Sequence, residues 1–251
     1  MKIMTLNLNF CESKHGPWSV RRELIVRTVG QHAPDVLAFQ AVRKDPAREG
    51  GKCQATQLAE RLSEFKHVAF VAATRHADGA EDGSAFLSKV PFAVDHYLLS
   101  VGIVPPQEAE DGARRIILHA RIESPPLSIF NSHYSWVYPQ AVSNVNEALL
   151  YMGETPGPAL LVGDLNTGPE SDLMRRLAAQ GWTDVWAHLR PHDPGYTFES
   201  NAPDRRIDYV WARPRALSLI TAIDVVKEQS NPAGARLSDH LGLIVSLDEK
   251  R

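Results

Sequence analysis

The chain is poor in cysteine, has no long apolar run and carries no excess of positive charge. Each shortage closes off a class of protein. Two cysteines, Cys11 and Cys53, are too few for a disulfide framework, and the expectation is reduced thiols in a cytoplasmic protein. No stretch reaches the roughly 18 apolar residues that a membrane-spanning helix needs, so no membrane partner is expected. Met1 to Leu8 reads as a strand and lacks the longer apolar run and small-residue cleavage site of a secretory leader. The formal net charge of −3 argues against a protein that neutralises many phosphates of a polynucleotide, since such proteins are usually basic. Two short basic pairs, Arg114-Arg115 and Arg205-Arg206, leave room for a local phosphate contact. No repeat, low-complexity tract or linker interrupts the 251 residues, and 43% hydrophobic content supplies a sizeable core. One domain over residues 1–251 is expected.

What is present is a dense series of strand signals separated by a few helical stripes. Strands are expected near 2–9, 35–39, 67–72, 84–88, 92–99, 115–123, 127–132, 159–163, 206–211, 218–227 and 241–247. Helices fit 18–32, 54–64, 139–152 and 171–180. The first shows a stripe at Val20, Leu24, Ile25, Thr28 and Val29 and is stopped by Pro34. In the last, Ser171 is placed to cap, and Leu173, Met174 and Leu177 form an inner face. Polar, Gly- and Pro-containing stretches at 44–52 and 105–113 read as loops. Hairpin-like strand runs between helices fit two sheets packed face to face with helices on their outer faces.

Five segments carry chemistry. In Leu160-Leu-Val-Gly-Asp-Leu-Asn166 an apolar strand ends in Asp164 and Asn166, two residues apart and so on one face. A carboxylate there can orient or deprotonate a water, and an amide can donate to a phosphoryl oxygen; an ordinary strand-to-turn exit is the bland alternative. In Arg206-Ile-Asp-Tyr-Val-Trp211, Asp208 lies inside an apolar strand, where a carboxylate needs a histidine or an arginine as partner. Ser238-Asp239-His240 opens a strand with an adjacent acid and base. Phe130-Asn-Ser-His133 delivers an imidazole to a strand end, with Tyr134 and Trp136 beside it as candidate aromatic walls for a substrate. Thr5-Leu-Asn7-Leu-Asn9 places an amide within an apolar strand, where a metal would satisfy it.

Together with Pro34-Asp-Val-Leu-Ala-Phe-Gln40 and Gly83-Ser-Ala-Phe-Leu-Ser88, these segments, in this order, resemble the endonuclease/exonuclease/phosphatase superfamily, the fold of pancreatic deoxyribonuclease. The resemblance spans nearly the whole chain. It implies a four-layer α/β/β/α sandwich of two mixed, mainly antiparallel sheets. It also implies a divalent metal (Mg²⁺, or Mn²⁺ or Ca²⁺) and hydrolysis of a phosphoester by water. By the same resemblance Asn7 and Asp239 lie at the metal, Asp164 positions the water and Asn166 holds the phosphate. His240 pairs with Asp208, and His133 contacts the scissile phosphate. Arg114 or Arg115 faces the phosphate, a choice the sequence leaves open, with Arg115 a candidate substrate-binding residue.

The departure is Ala41. In the family the residue after Gln40 is a glutamate that holds the metal; here it is a methyl group. Three explanations compete: a glutamate deliberately replaced by alanine, a natural binding-only relative, or a neighbouring carboxylate such as Asp45 or Glu49 taking over. The expectation is the first, a hydrolase inactivated at one ligand. Its partner would be a phosphoester, small or nucleic acid, with a nuclease or a non-catalytic phosphate binder as the alternatives. No protein partner is implied.

Overall fold

A computed structural model describes residues 1–101, 111, 113–153, 155–227 and 234–248. Within them, two six-stranded sheets lie face to face. The first contains β1 (Lys2–Asn7), β2 (Val36–Lys44), β3 (His67–Arg75), β4 (Glu81–Ser88), β11 (Ile220–Val226) and β12 (Gly242–Leu247), in the order β11-β12-β1-β2-β4-β3. The second contains β5 (Ala93–Leu99), β6 (Arg115–Glu123), β7 (Pro126–His133), β8 (Ala159–Asp164), β9 (Thr183–Asp184) and β10 (Asp208–Ala212), in the order β5-β6-β7-β8-β10-β9. Each sheet has one parallel pair at its centre, β1 with β2 and β7 with β8, and its other pairs are antiparallel.

Alternation along each strand builds the layers. Ile3, Val36, Ala38, Phe86, Leu160, Val162 and Val245 point between the sheets and form the central core. Their neighbours Met4, Leu6, Leu37 and Phe39 point the other way. They meet Leu24, Ile25 and Val29 of α2 (Trp18–His32) and Ala55 and Leu58 of α3 (Gln54–Ala59). On the second sheet Phe130, Leu161 and Tyr209 meet α4 (Tyr138–Met152) and α5 (Asp172–Ala179). The result is the four-layer α/β/β/α sandwich expected from the sequence. Short helices α1 (Glu12–His15), α6 (Val185–Leu189) and α7 (Pro214–Leu217), which periodicity does not announce, fill the connections.

Several local expectations shift. The helix expected over 54–64 ends at Ala59, and the strand expected over 35–39 continues to Lys44. Val20 is exposed, and its expected place on the inner stripe of α2 is taken by Arg21, which is fully buried. The Arg21 guanidinium donates to the carbonyl oxygens of Leu8 and of Leu237, the latter at 2.7 and 3.1 Å. It thereby ties the exit of β1 to the approach to β12. Ser171 caps α5 as expected, its hydroxyl accepting from the Met174 N–H at 3.3 Å. Of the loop expected over 105–113, residues 105–110 and 112 lie outside the described residues.

Polar side chains also cross the gap between the sheets. The Gln40 amide donates to Thr5 Oγ1 at 2.9 Å and to Asn131 Oδ1 at 2.7 Å. Asn131 in turn donates to the carbonyls of Phe39 (3.0 Å) and Ala85 (3.1 Å). Both amides are fully buried. Asn131→Ala is therefore expected to leave several buried polar groups without partners and to destabilise the fold by about 3 kcal/mol. Urea unfolding of the two proteins measures it.

Candidate active site

The parallel pair of each sheet ends on the same side of the sandwich, and the candidate residues gather there. β1 delivers Asn7, β7 delivers His133 and β8 delivers Asp164 at their C-terminal ends. β10 begins with Asp208, in register with Asp164, and His240 sits just before β12. Asn7, Ala41, Arg114, Arg115, His133, Trp136, Asp164, Asn166, Asp239 and His240 all line one cleft of about 370 Å³. Asp208 lies behind His240, nearly fully buried.

Asp164 is the hub. Its Oδ2 accepts from the Asn7 amide at 2.8 Å, and its Oδ1 accepts from the Asn166 backbone N–H at 2.9 Å. His133 Nε2 lies 3.4 Å and His240 Nε2 3.6 Å from Asp164 Oδ2. The other nitrogen of His240, Nδ1, pairs with Asp208 Oδ2 at 2.9 Å. Asn166 (φ 52°) sits in the left-handed region, and its side-chain amide donates to the Tyr134 carbonyl at 2.9 Å. Gly163 leaves no alternative at the strand end: a Cβ there would lie 2.0 Å from the Ser132 carbonyl oxygen.

Burial and charge separate the two imidazoles. For His240 burial opposes protonation, but Asp208, Asp164 and Asp239 outweigh it and raise the pKa to about 10. For His133 burial, then the positive charges of Arg115 and His240, hold the pKa well below the ordinary histidine range. Burial lifts Asp164 to about 6, with His240 pulling it down and Asp208 pushing it up. At neutral pH the hub is thus a carboxylate between one neutral and one cationic ring.

Asp239 and Asn7 meet through a residue that the sequence alone did not single out for a role. The Asn9 backbone N–H donates to Asn7 Oδ1 at 2.9 Å, and its side-chain amide donates to Asp239 Oδ2 at 2.7 Å. His15 Nε2 lies 3.7 Å from the same Asp239 oxygen. Phe198 also lines the cleft, its ring centroid 4.9 Å from that of His240. It comes from a stretch with no periodic signal, so nothing in the sequence marked it. Phe10 and Asp82 also line the cleft.

Two readings need correction. Tyr134 does not reach the cleft: it is fully buried in the outer core against α4, so it forms no substrate wall. Asp45 and Glu49 do not stand in for a ligand at position 41, because they line a neighbouring depression on the far side of Phe10. The carboxylate that does line the cleft from β4, Asp82, is held by Arg43 at 3.0 and 3.1 Å. Arg114 and Arg115 are also distinguished. Arg115 is buried and bonded to Asp111 (Nε to Oδ2, 3.0 Å), whereas Arg114 is exposed at the cleft.

Position 41 has an unusual backbone. Phe39 pairs with Ala85 and Val42 with Gly83, so Gln40 and Ala41 together oppose Ser84. This is a β-bulge, which re-aims side chains beside active sites. Ala41 has φ 49°, in the left-handed region that costs an L-residue about 1 kcal/mol or more. Beside it, Ser84 Oγ and Gln40 Oε1 are buried without hydrogen-bond partners. Asn7 and Asp239 offer hard oxygen atoms to the cleft, the ligand type that Mg²⁺ and Ca²⁺ prefer. These oxygen donors fit a divalent cation, and the bulge presents a methyl group to the same cleft. Asp164, Asp208 and His240 also bring ligand atoms within 4.8 Å of one another. The His240–Asp208 hydrogen bond already occupies one ligand atom of each of those two residues.

A family model described as the endonuclease/exonuclease/phosphatase family matches residues 4–240. No curated protein matches the sequence. Solved structures of similar fold include an endonuclease/exonuclease/phosphatase from Beutenbergia cavernae, with 22% identity and a TM-score of 0.74 over 98% of this chain and 71% of that one. A mannosyl-6-phosphatase from Bacteroides thetaiotaomicron has 18% identity and a TM-score of 0.73 over 99% of both chains. A humanized D. rerio TDP2 has 17% identity and a TM-score of 0.71 over 99% of this chain and 98% of that one.

The His240–Asp208 pair gives a pH signature. The folded pKa of about 10 exceeds the unfolded value of about 6.5, so the stability the pair contributes is complete below pH ~6.5 and is lost as pH rises through about 10. In chelator-treated protein, denaturant unfolding from neutral to alkaline pH should show this loss. Asp208→Asn should flatten it and lower the His240 pKa seen by NMR.

Proposed function

The chain belongs to the endonuclease/exonuclease/phosphatase family, and from that premise we propose that it is a divalent-metal-dependent phosphoester hydrolase acting by attack of water on phosphorus. The observation that carries this reading is the Asp164 hub, a carboxylate set between a neutral and a cationic imidazole at a cleft. Asp164 orients the attacking water and takes its proton. His240, kept cationic and oriented by Asp208, and the neutral His133 donate to phosphoryl oxygens as negative charge accumulates. Asn166 holds the phosphate beside them. Asn7 and Asp239 would hold the cation, with Asn9 fixing both. When bound, that ion neutralises phosphoryl charge and makes the nearby water more acidic.

Ala41 sets the level of activity. It stands for a replaced glutamate, and the chain is a weakened form of an enzyme whose other groups remain in place. Losing even an outer partner of a metal ligand costs about 10–100-fold, and losing a ligand should cost at least as much. The substrate is a phosphoester bound between Trp136 and the basic side of the cleft, where Arg114 is the freer cation and Arg115 backs it. A nuclease reading draws on Trp136, 57% exposed, since a base can stack on such a ring.

Ala41→Glu should raise Mg²⁺-dependent hydrolysis of a generic phosphodiester by about tenfold or more, and Asp164→Asn in that background should abolish most of it. Equal activity of the Ala41→Glu protein and the parent sinks the proposal. Steep weakening of substrate binding with salt would favour the nuclease form of it. Phosphate binding without turnover in the Ala41→Glu protein would favour a non-catalytic relative.

A further inference from the structure

A second depression, of about 600 Å³, opens beside the catalytic cleft, and Phe10 lines both. The partition between them is pinned. The Arg43 guanidinium lies over the Phe10 ring, 5.0 Å from its centroid, and is bonded in turn to Asp82 of the cleft at 3.0 and 3.1 Å. Three cations, Arg43, Arg48 and Lys52, and three acids, Glu12, Asp45 and Glu49, line the depression. All are already paired. Arg48 meets Glu12 at 3.4 Å and Asp45 at 3.6 Å, Glu49 meets Arg22 at 3.4 Å, and Lys52 meets Glu60. Neither sign is in surplus. A phosphate held here would have to draw a cation away from its acid, so the depression suits an uncharged group.

The lining offers both carbon and hydrogen bonds. The Trp18 indole N–H is occupied by Gln57 Oε1 at 2.6 Å, so that residue contributes ring carbon, beside Pro17 and Phe10. Gln54, 5% exposed, accepts the Arg43 backbone N–H on Oε1 at 2.9 Å, and its NH₂ has no partner among the described residues. That bond fixes the amide, so a ligand meets a donor already in position. Paired carboxylates and guanidinium groups keep lone pairs and N–H groups to spare for hydroxyls. Ring carbon beside convergent donors and acceptors, without net charge, matches a sugar, which has C–H groups on its faces and hydroxyls around its edge. A nucleobase needs an open aromatic face to stack on, and here Arg43 takes one face of Phe10 and Trp18 is buried. On the hydrolase reading above, the phosphate lies at the Asp164 hub; we propose that this depression receives the sugar of the same phosphoester, reaching it past Phe10. The sugar subsite rests on that reading for the phosphate's place alone.

Phosphonates test this without turnover: methylphosphonate, the phosphonate analogue of glucose 6-phosphate and the 5′-phosphonate of adenosine. In NMR titrations of the whole chain with Mg²⁺, the glucose phosphonate should bind about tenfold or more tightly than methylphosphonate. Methyl α-glucoside, which carries no charge, should shift the Gln54 side-chain NH₂ and the amides of Trp18 and Ser19. Gln54→Glu keeps the acceptor for Arg43 and removes the free donor, and it should weaken the glucoside about fivefold. Ser19 is exposed on the rim. Ser19→Trp should therefore fill the depression without disturbing the fold, and abolish the gap between the glucose phosphonate and methylphosphonate. A glucose phosphonate no tighter than methylphosphonate, or a glucoside that leaves Gln54 unmoved, overturns the sugar subsite and leaves the hydrolase reading standing. Tighter binding of the adenosine phosphonate, felt at Gln54, overturns it in favour of a nucleoside. Failure of methylphosphonate to bind counts against the hydrolase reading instead, and the uncharged glucoside still decides the subsite.

Discussion

The site depends on hydrogen bonds that cross from one sheet to the other. Asn7 of the first sheet bonds Asp164 of the second, Gln40 bonds Asn131, and His240 beside β12 bonds Asp208 of β10. Apolar packing between sheets fixes their separation but slides easily; a buried amide pair does not, because a shift leaves its groups without partners. The Gln40–Asn131 pair lies below the cleft and the Asn7–Asp164 and His240–Asp208 pairs lie at it. The floor that sets the relative position of the two sheets is thus continuous with the groups that do chemistry. Arg21 extends the same arrangement to the backbone, joining the Leu8 and Leu237 carbonyls and so the loops that carry Asn9 and Asp239.

That geometry explains how two histidines on one carboxylate acquire different charges. His240 is bonded to Asp208 and lies among three carboxylates, so its proton is retained despite burial. His133 has Asp164 at 3.4 Å, but burial first, and then the cations of Arg115 and His240, take its proton away. Burial acts on both rings, and only His240 has enough carboxylates around it to outweigh that burial. Pairs of titratable groups driven apart in this way are typical of sites that hold and move protons.

Much of this was legible in the sequence, and the parts that were not share a cause. Alternation in Ile3 to Leu6 and Val36 to Phe39 set both the sheet and its two faces, because that signal is local. Asp164, Asn166, Asp208, His133 and His240 were legible because polar residues inside or at the end of apolar strands stand out. Tyr134 was misplaced because an aromatic at a strand end faces either a cleft or a core with equal ease, and here α4 covers it. Val20 and Arg21 exchanged places because a long side chain with distant backbone acceptors can be buried where charge alone predicts exposure. Asn9 and Phe198 act through partners remote in the chain, and no spacing reveals a partner of that kind.

Ala41 shows where backbone and side chain part company. A bulge and a left-handed φ are costs that alanine gains nothing from: it makes no polar contact there, and Ser84 Oγ and Gln40 Oε1 beside it are left without partners. Two residues opposed to one turn both Gln40 and Ala41 toward the inner side while Phe39 and Val42 stay in the outer core. Gln40 uses that orientation to clasp Asn131; position 41 uses it for nothing in this chain. Backbone strain of this sort persists when the surrounding structure over-determines it, and it is concentrated at functional positions. The backbone therefore has the bulged, strained form typical of a functional position, while the side chain it carries there makes no polar contact.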